Sequence, residues 1–313
     1  MQSSVGVQAT RNTDSPATEA VNAPAPGRPK EIEAATNIYF VHPASRALVD
    51  RLVTTPLTPN QISIASVAFA AAAAYVYLTL PWPWAAFVGL ACQFAWHVLD
   101  GADGDLARRT GRASPIGELV DGVCDHVSQA LIYIAFALVL QRSVGGWAWG
   151  ISLAAATSHF IQANAYETGR KSYRHWVYGA IWMRQTAGTD PSANPIARGL
   201  GNFYIAVSNM ADTGGGRVEA AMEQHGAARD ARQLYGELYQ PVVKASGILD
   251  SNTRTLAGFA SMLIGNPLWF FIFEIVVLNV ALVAVTSRRR QADRNLVALL
   301  SLPGAESPLP QSD

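Results

Sequence analysis

The sequence predicts an all-α polytopic membrane protein, with about six transmembrane helices and an N-terminal amphipathic helix at the membrane interface. Half of the 313 residues are apolar, and only 15% are charged. Soluble domains are typically about a quarter charged. Several apolar runs are also longer than the helices of an ordinary soluble core. The formal net charge of zero gives no indication of nucleic-acid binding.

The N-terminal part combines a tail with an interfacial helix. Residues 1–36 are rich in Ala, Pro, Thr, Ser and Asn and lack the apolar segment of a signal peptide, which predicts a disordered tail. Residues 38–52 mix apolar and charged side chains, a pattern typical of an amphipathic helix lying at the interface. Thr58, Pro59 and Asn60 then predict a turn and a helix start.

Apolar segments predict the membrane helices that follow. They comprise residues 61–80, 84–99, 116–140, 146–165, 252–264 and 268–285. The fifth segment is short, but without it the Arg cluster at residues 288–290 would face the outside. Basic clusters follow the second, fourth and sixth segments, whereas the opposite turns carry only Arg142. This positive-inside pattern predicts a multi-pass protein of the inner (cytoplasmic) membrane, with both termini facing the cytoplasm.

The polar stretch between about residues 167 and 250 is too long for a structureless loop. We therefore expect it to form helices, for example over residues 217–238, as an insert in a membrane domain spanning residues 37–290. Residues 291–313 are predicted to form a C-terminal tail. The glycines at 214–216 lack the strand, helix and lysine context of a phosphate loop and predict a flexible turn.

Four aspartates carry most of the functional information. Asp100 and Asp103 are three residues apart, and Asp121 and Asp125 are four apart, so on helices each pair shares a face. Two adjacent helices would gather four carboxylates near the membrane surface. Such a cluster is unfavourable in a bilayer and repels itself. Mg²⁺ or Mn²⁺, which prefer oxygen ligands, would stabilise it and could bridge to a pyrophosphate.

Small and basic residues accompany these carboxylates. Gly104 and Ala107 share the face of the first aspartate pair, and Gly117 precedes Asp121 by about one turn. Small side chains there would let a bulky ligand approach the backbone. Arg108 offers a planar guanidinium for phosphate oxygens.

The segment resembles the signature of the CDP-alcohol phosphotransferase family, also called CDP-alcohol phosphatidyltransferases. That signature reads Asp, two residues, Asp-Gly, two residues, Ala-Arg, eight residues, Gly, three residues, Asp, three residues, Asp. It is filled without departure by Asp100, Asp103, Gly104, Ala107, Arg108, Gly117, Asp121 and Asp125. The motif is specific although it covers only residues 100–125, and the six-helix plan extends the similarity to most of the membrane part.

The resemblance implies transfer of a phosphoalcohol group from a CDP-linked donor to a hydroxyl acceptor, with release of CMP. The four aspartates would bind two divalent ions, Mg²⁺ or Mn²⁺, and Asp125 would also act as the general base. Asp103, Gly104, Ala107, Arg108 and Gly117 would contact the nucleotide. The family also implies membrane-lipid substrates and a homodimer.

The donor and acceptor stay open at this point. The six-helix plan favours CDP-diacylglycerol as donor to a small hydroxyl acceptor, and the alternative is CDP-choline or CDP-ethanolamine with diacylglycerol as acceptor. Candidate acceptor contacts are Arg170, Lys171, Arg174 and Arg254, of which the first three are also typical of ordinary positive-inside charge. Arg254 and the general resemblance favour inositol or its phosphate as acceptor.

Two alternatives lie outside the enzymes. An ion-coupled transporter or a channel would explain acidic residues within a membrane. It would not explain Gly104, Ala107, Arg108 and Gly117 at their spacings. A non-catalytic membrane scaffold is disfavoured because every signature residue is present.

Overall fold

The computed structural model describes residues 29–180, 199, 216–225 and 229–301. This part of the chain is helical and contains no strand, which confirms the predicted all-α class. The α-helices are α1 His42–Leu52, α2 Pro59–Thr79, α3 Trp84–Arg109, α4 Pro115–Val144, α5 Trp147–Tyr178, α6 Arg217–His225, α7 Arg229–Ala245, α8 Ser251–Ile264, α9 Leu268–Ile272 and α10 Leu278–Leu300. Short π-helical segments, Asn37–Val41 and Phe273–Val277, precede α1 and α10, and a 3₁₀ turn, Ser246–Leu249, precedes α8.

The predicted spans all lie on helices. Three helical stretches are long and apolar enough to cross a membrane, namely Pro59–Thr79, Ile116–Val144 and Leu268–Leu300. The other predicted spans lie on α3, α5 and α8. Since α8 has 14 residues, it is about 21 Å long, which is shorter than the roughly 30 Å hydrocarbon core. The three long apolar helices indicate a membrane-embedded protein. Because α8 is short, the count of six spans stays a prediction.

Local sequence patterns mark the start of α2, which packs on α3, and the start of α4, which carries the second aspartate pair. A capping box starts α2, in which the Thr58 side chain accepts from the Gln61 amide and the Gln61 side chain accepts from the Thr58 amide. The turn from α3 to α4 includes Gly111 at φ +66°, a conformation that favours glycine. Ser114 then caps α4 by accepting a hydrogen bond of 3.0 Å from the Gly117 amide. The two aspartate pairs are thus placed on consecutive helices joined by a short turn.

An aromatic core holds the helices α2, α3, α4, α5, α8 and α9 together. Phe136 on α4 is fully buried and packs edge-to-face on Tyr77 and Phe270, with ring centroids 5.0 and 5.1 Å apart. On α3, Gly89 lies against the Tyr77 ring, and a Cβ there would lie 2.3 Å from the Tyr77 Cε1 atom. A larger residue at position 89 would therefore separate α2 from α3.

A second core lies where α6, α7 and the ends of α5 and α10 meet. Tyr235 and Tyr239 stack there with ring centroids 4.1 Å apart, beside the buried Met222 and Leu296. The predicted polar insert is therefore helical in its described part. The helix expected over residues 217–238 is present as two helices, α6 and α7.

Two predicted boundaries differ from the structure. The tail predicted to run through residue 36 already contains Ile32 and Glu33, which are buried and contact the second core and α5. The tail predicted from residue 291 is helical up to Leu300, because Leu296 and Leu300 pack in the same core. The remainder of both tails and the first two glycines of the 214–216 triplet lie outside the described residues.

Candidate active site

The structure brings the four predicted carboxylates together. Side-chain oxygens of Asp100, Asp103 and Asp121 lie within 4.8 Å of one another. The Asp121 side chain contacts that of Asp103, and the Asp125 side chain contacts that of Asp100. The helical spacing read from the sequence therefore places one pair on α3 opposite the other pair on α4.

The cluster is shielded from solvent on the side of α2. Asp103 is 3% exposed and accepts a hydrogen bond from the Ser63 hydroxyl. The Oδ1 atom of Asp121 is buried and has no hydrogen-bond partner. A buried carboxylate oxygen without a partner is unfavourable, so this atom points to a missing positive ligand.

The donor set fits a divalent cation. Two oxygens bound to one Mg²⁺ at about 2.1 Å lie at most about 4.2 Å apart. Carboxylates within 4.8 Å of one another would need only small side-chain movements to share an ion. Because the donors are carboxylate oxygens, a hard ion such as Mg²⁺ or Mn²⁺ suits them better than a soft metal. The number of ions stays a prediction.

The predicted nucleotide contacts surround this cluster. Arg108 at the end of α3 pairs with Asp105, and its side chain is 40% exposed. A Cβ on Gly104 would lie 3.4 Å from the Arg108 Nη1 atom, so the glycine leaves room beside the guanidinium. A Cβ on Gly117 would lie 3.2 Å from the Ser114 Oγ atom. Ala107 is half-buried on the same helix.

Two of the predicted acceptor contacts on α5 are engaged in ion pairs. Lys171 donates to Glu118 at 2.6 Å, one turn before Asp121. Arg170 donates to Glu33 at 2.5 Å and to Glu167 at 3.0 Å. These lysine and arginine side chains therefore already have anionic partners within the protein.

Arg174 has a different environment. Its Nε atom is buried without a hydrogen-bond partner, and it forms no ion pair with a carboxylate in the described part of the chain. Burial, followed by the neighbouring guanidinium groups of Arg170 and Arg108, lowers the pKa of Arg174. The carboxylates of Glu167 and Glu33 act in the opposite direction, and an anion from outside the protein would stabilise this group of cations further.

Arg254 lies in the protein interior, 3% exposed. Its Nε atom lies 2.9 Å from the Glu274 Oε1 atom, its Nη2 atom donates to Gln162 at 2.8 Å, and Nη1 donates to the Leu249 carbonyl. The structure thus gives Arg254 an internal ion pair, and its predicted role at the acceptor stays a prediction.

Sequence reasoning missed several buried polar residues in and behind the helices of the site. Ser63 lacks a motif of its own, and only the packing of α2 on α3 brings it to Asp103. His97 contacts Thr255 at 2.7 Å, across 158 residues of sequence. Glu274 did have a detectable signal, because an isolated acid within a strongly apolar span is a functional or structural marker.

Comparisons with known proteins point to one family. Residues 56–187, which include α2, α3, α4 and the whole eight-residue signature, match the family described as CDP-alcohol phosphatidyltransferase. A protein of Dictyostelium discoideum named "Uncharacterized CDP-alcohol phosphatidyltransferase class-I family protein 2" is 46% identical over 48 residues. That match spans 15% of this chain and 12% of the relative.

Proposed function

Because residues 56–187 carry a CDP-alcohol phosphatidyltransferase domain, we propose that this protein is a phospholipid-synthesising enzyme that moves a phosphatidyl group from CDP-diacylglycerol to a hydroxyl acceptor. The family match over residues 56–187 supports the family and the phosphotransferase class that the signature predicts. The donor, the acceptor, the metal ions and the roles of individual residues are our proposals.

The observation that carries the proposal is the aspartate cluster between α3 and α4. Its carboxylates lie within 4.8 Å of one another, and the Asp121 Oδ1 atom is buried without a partner. We propose that Asp100, Asp103, Asp121 and Asp125 hold two Mg²⁺ or Mn²⁺ ions. When bound, such ions supply the positive charge that the pyrophosphate and the leaving nucleotide require.

The reaction replaces the phosphoanhydride bond of the donor with a phosphodiester bond to the acceptor. The acceptor hydroxyl oxygen bonds to the phosphorus that carries diacylglycerol, and the bond from that phosphorus to CMP breaks. CMP departs with the electron pair of the broken bond, and the carboxylate of Asp125 takes the hydroxyl proton. The position of Asp125 one turn beyond Asp121, in contact with Asp100, supports this assignment as general base.

The nucleotide would bind against α3 and the start of α4. Gly104 and Ala107 leave space beside the helix, and Gly117 does the same at the beginning of α4. Arg108 would exchange its contact with Asp105 for a phosphate oxygen of the donor. This exchange is feasible because the Arg108 side chain lies partly in solvent.

Arg174, which forms no ion pair within the described residues, supports an acceptor that carries a negative charge. Its Nε atom is buried without a partner, and Arg108 and Arg170 lie close to it. A phosphorylated polyol such as inositol phosphate would supply both the hydroxyl for transfer and the anion for Arg174. Lys171 and Arg170 would contribute after exchanging their present carboxylate partners.

The charge distribution supports an orientation as well. Arg108, Arg109 and Arg112 follow the aspartates of α3, so the site would face the cytoplasm together with both chain termini. We propose an inner-membrane location and, from the family resemblance, a homodimer.

The test is release of CMP by the purified full-length protein in detergent with Mg²⁺ and CDP-diacylglycerol. Inositol, inositol phosphate, glycerol phosphate, serine and choline are supplied separately as acceptors. We expect release with one acceptor, and loss of release with a chelator and in Asp125→Asn. The matched control is Asp230→Asn on α7, an exposed carboxylate that should leave the rate unchanged.

Other outcomes would replace the proposal. Release only from CDP-choline or CDP-ethanolamine with diacylglycerol would reverse the roles of donor and acceptor. Absence of CMP release from every donor, together with ion flux in proteoliposomes, would favour a transporter.

A further inference from the structure

A buried ion pair lies among the helices that follow the signature, outside the aspartate cluster. Arg254 on α8 is 3% exposed, and Glu274 in the π-helical segment before α10 is fully buried. The Nε and Oε1 atoms of the pair lie 2.9 Å apart. Neither the signature nor the proposed chemistry uses Glu274.

Gln162 on α5 ties this ion pair to the helices around it. Its Oε1 atom accepts from Arg254 at 2.8 Å. Its Nε2 atom donates to the backbone carbonyl of Glu274 at 3.0 Å and to the Asn279 side chain at 2.9 Å. A π-helical segment disturbs the ordinary backbone hydrogen bonds of a helix, and Gln162 provides a partner for this carbonyl. The pair therefore determines how α8 sits against α5 and the final helix.

The residue after Arg254 connects α8 to the helix of the first aspartate pair. The Thr255 hydroxyl contacts His97 Nε2 at 2.7 Å and donates to Gln93 Oε1 at 3.0 Å. All three side chains are less than 7% exposed. His97 lies three residues before Asp100 on α3, on the same face of the helix.

We propose that Arg254 and Glu274 are positioning residues for the aspartate cluster. The pair orients α8, Thr255 of α8 holds His97, and His97 holds the part of α3 that carries Asp100. The inference rests on the proposed function, in which Asp100 is a metal ligand. It assigns Arg254 a role different from the acceptor contact expected from the sequence.

The alternative for Arg254 makes an opposite prediction for its partner. If Arg254 binds the acceptor, removing the negative charge of Glu274 frees the guanidinium and leaves metal binding unchanged. If the pair positions the cluster, losing either partner weakens metal binding in the same direction. Glu274 therefore distinguishes the two roles better than Arg254 does.

The experiment measures Mn²⁺ binding to the purified full-length protein in detergent, by electron paramagnetic resonance of free Mn²⁺ and without substrate. We expect Glu274→Gln and Arg254→Gln each to weaken binding by up to about tenfold, the lower end of the effect of direct partners of metal ligands, because the pair acts through His97. Glu237→Gln, at an exposed position of α7, and Arg142→Gln, at the far end of α4, are the matched controls. Both should bind Mn²⁺ like the wild type.

Thr255→Val provides a second test if the ion-pair variants do not fold. It keeps the shape of the side chain and leaves the pair intact, but removes the contact to His97. We expect weaker Mn²⁺ binding by about tenfold. Wild-type binding in Thr255→Val, or in a folded Glu274→Gln, would overturn the proposal. Because no substrate is present, failure of the proposed reaction would appear separately, as intact Mn²⁺ binding without CMP release.

Discussion

The protein buries charge in two places, and the two are built in opposite ways. Between α3 and α4, Asp100, Asp103 and Asp121 gather with a buried oxygen that has no partner. Between α8 and α10, Arg254 and Glu274 neutralise each other at 2.9 Å, and Gln162 satisfies the guanidinium further. The difference separates a cluster of like charges, which repel one another, from a pair of opposite charges, which attract.

The energetics of the two places explain this difference. Two carboxylates 4.8 Å apart repel by about 3 kcal/mol at an effective dielectric constant of 20. Such repulsion lowers the stability of the metal-free protein and is relieved when a divalent ion binds. The ion pair carries no such net charge, and only the loss of one partner creates an unfavourable buried charge.

Of the substitutions that test this contrast, Asp121→Asn is expected to have the largest effect on activity. Activity should fall by at least about 10³-fold, because several kcal/mol of transition-state stabilisation depend on the bound metal. The unfolding temperature in chelator should stay the same or rise, since one repelling charge is lost. Thermal unfolding with and without Mg²⁺ checks this, because Mg²⁺ should stabilise the wild type but not the variant. A variant that unfolds earlier in chelator would mean that the cluster is structural.

Glu274→Gln is expected to have the opposite effect on the stability of the metal-free protein. It should lower the free energy of unfolding by about 3–5 kcal/mol, because Arg254 would remain buried without its counter-charge. The double variant Arg254→Met with Glu274→Leu should recover most of the loss, since apolar replacement of a buried pair is often neutral. Thermal unfolding of the single and double variants in chelator measures both. Equal losses in the two would contradict the ion-pair explanation.

The same contrast applies, with a smaller effect, to the arginines of α5. Arg174→Gln should raise the acceptor KM about ten- to hundredfold with a phosphorylated acceptor, because a hydrogen bond to a charged group contributes about 1.5–3 kcal/mol. The unfolding temperature should barely change, since Arg174 pairs with no described carboxylate. Arg170→Gln is the comparison, and it should lower the unfolding temperature by leaving Glu33 buried without its partner. An unchanged acceptor KM in Arg174→Gln would exclude this arginine from the acceptor site.

The signature could be predicted from sequence because its residues are close along the chain. Asp100 and Asp103 meet through helical periodicity alone, and a short turn brings Asp121 and Asp125 beside them. The start of α2 could be predicted from sequence equally well, since a capping box is a pattern of four neighbouring residues. In each case the physical cause operates within a few turns of one helix.

The rest depended on contacts between distant segments. Ser63 reaches Asp103 across 40 residues, and His97 reaches Thr255 across 158. The contacts of both predicted tails with the second core depend on distant segments in the same way. Ile32 lies between charged residues and Leu296 begins a short apolar run after the Arg cluster, and both are buried because the second core brings them together.

The sequence by itself therefore determined the all-α class and the grouping of the four aspartates on two consecutive helices, because helical periodicity and apolar length act locally. Only the tertiary structure decided which charges are paired. It placed Arg254 against Glu274 and Arg170 against Glu33, and it left Arg174 without a described carboxylate partner. The sequence shows which side chains can carry a charge. The role of each one depends on which opposite charge the packing of the helices brings within about 4 Å of it.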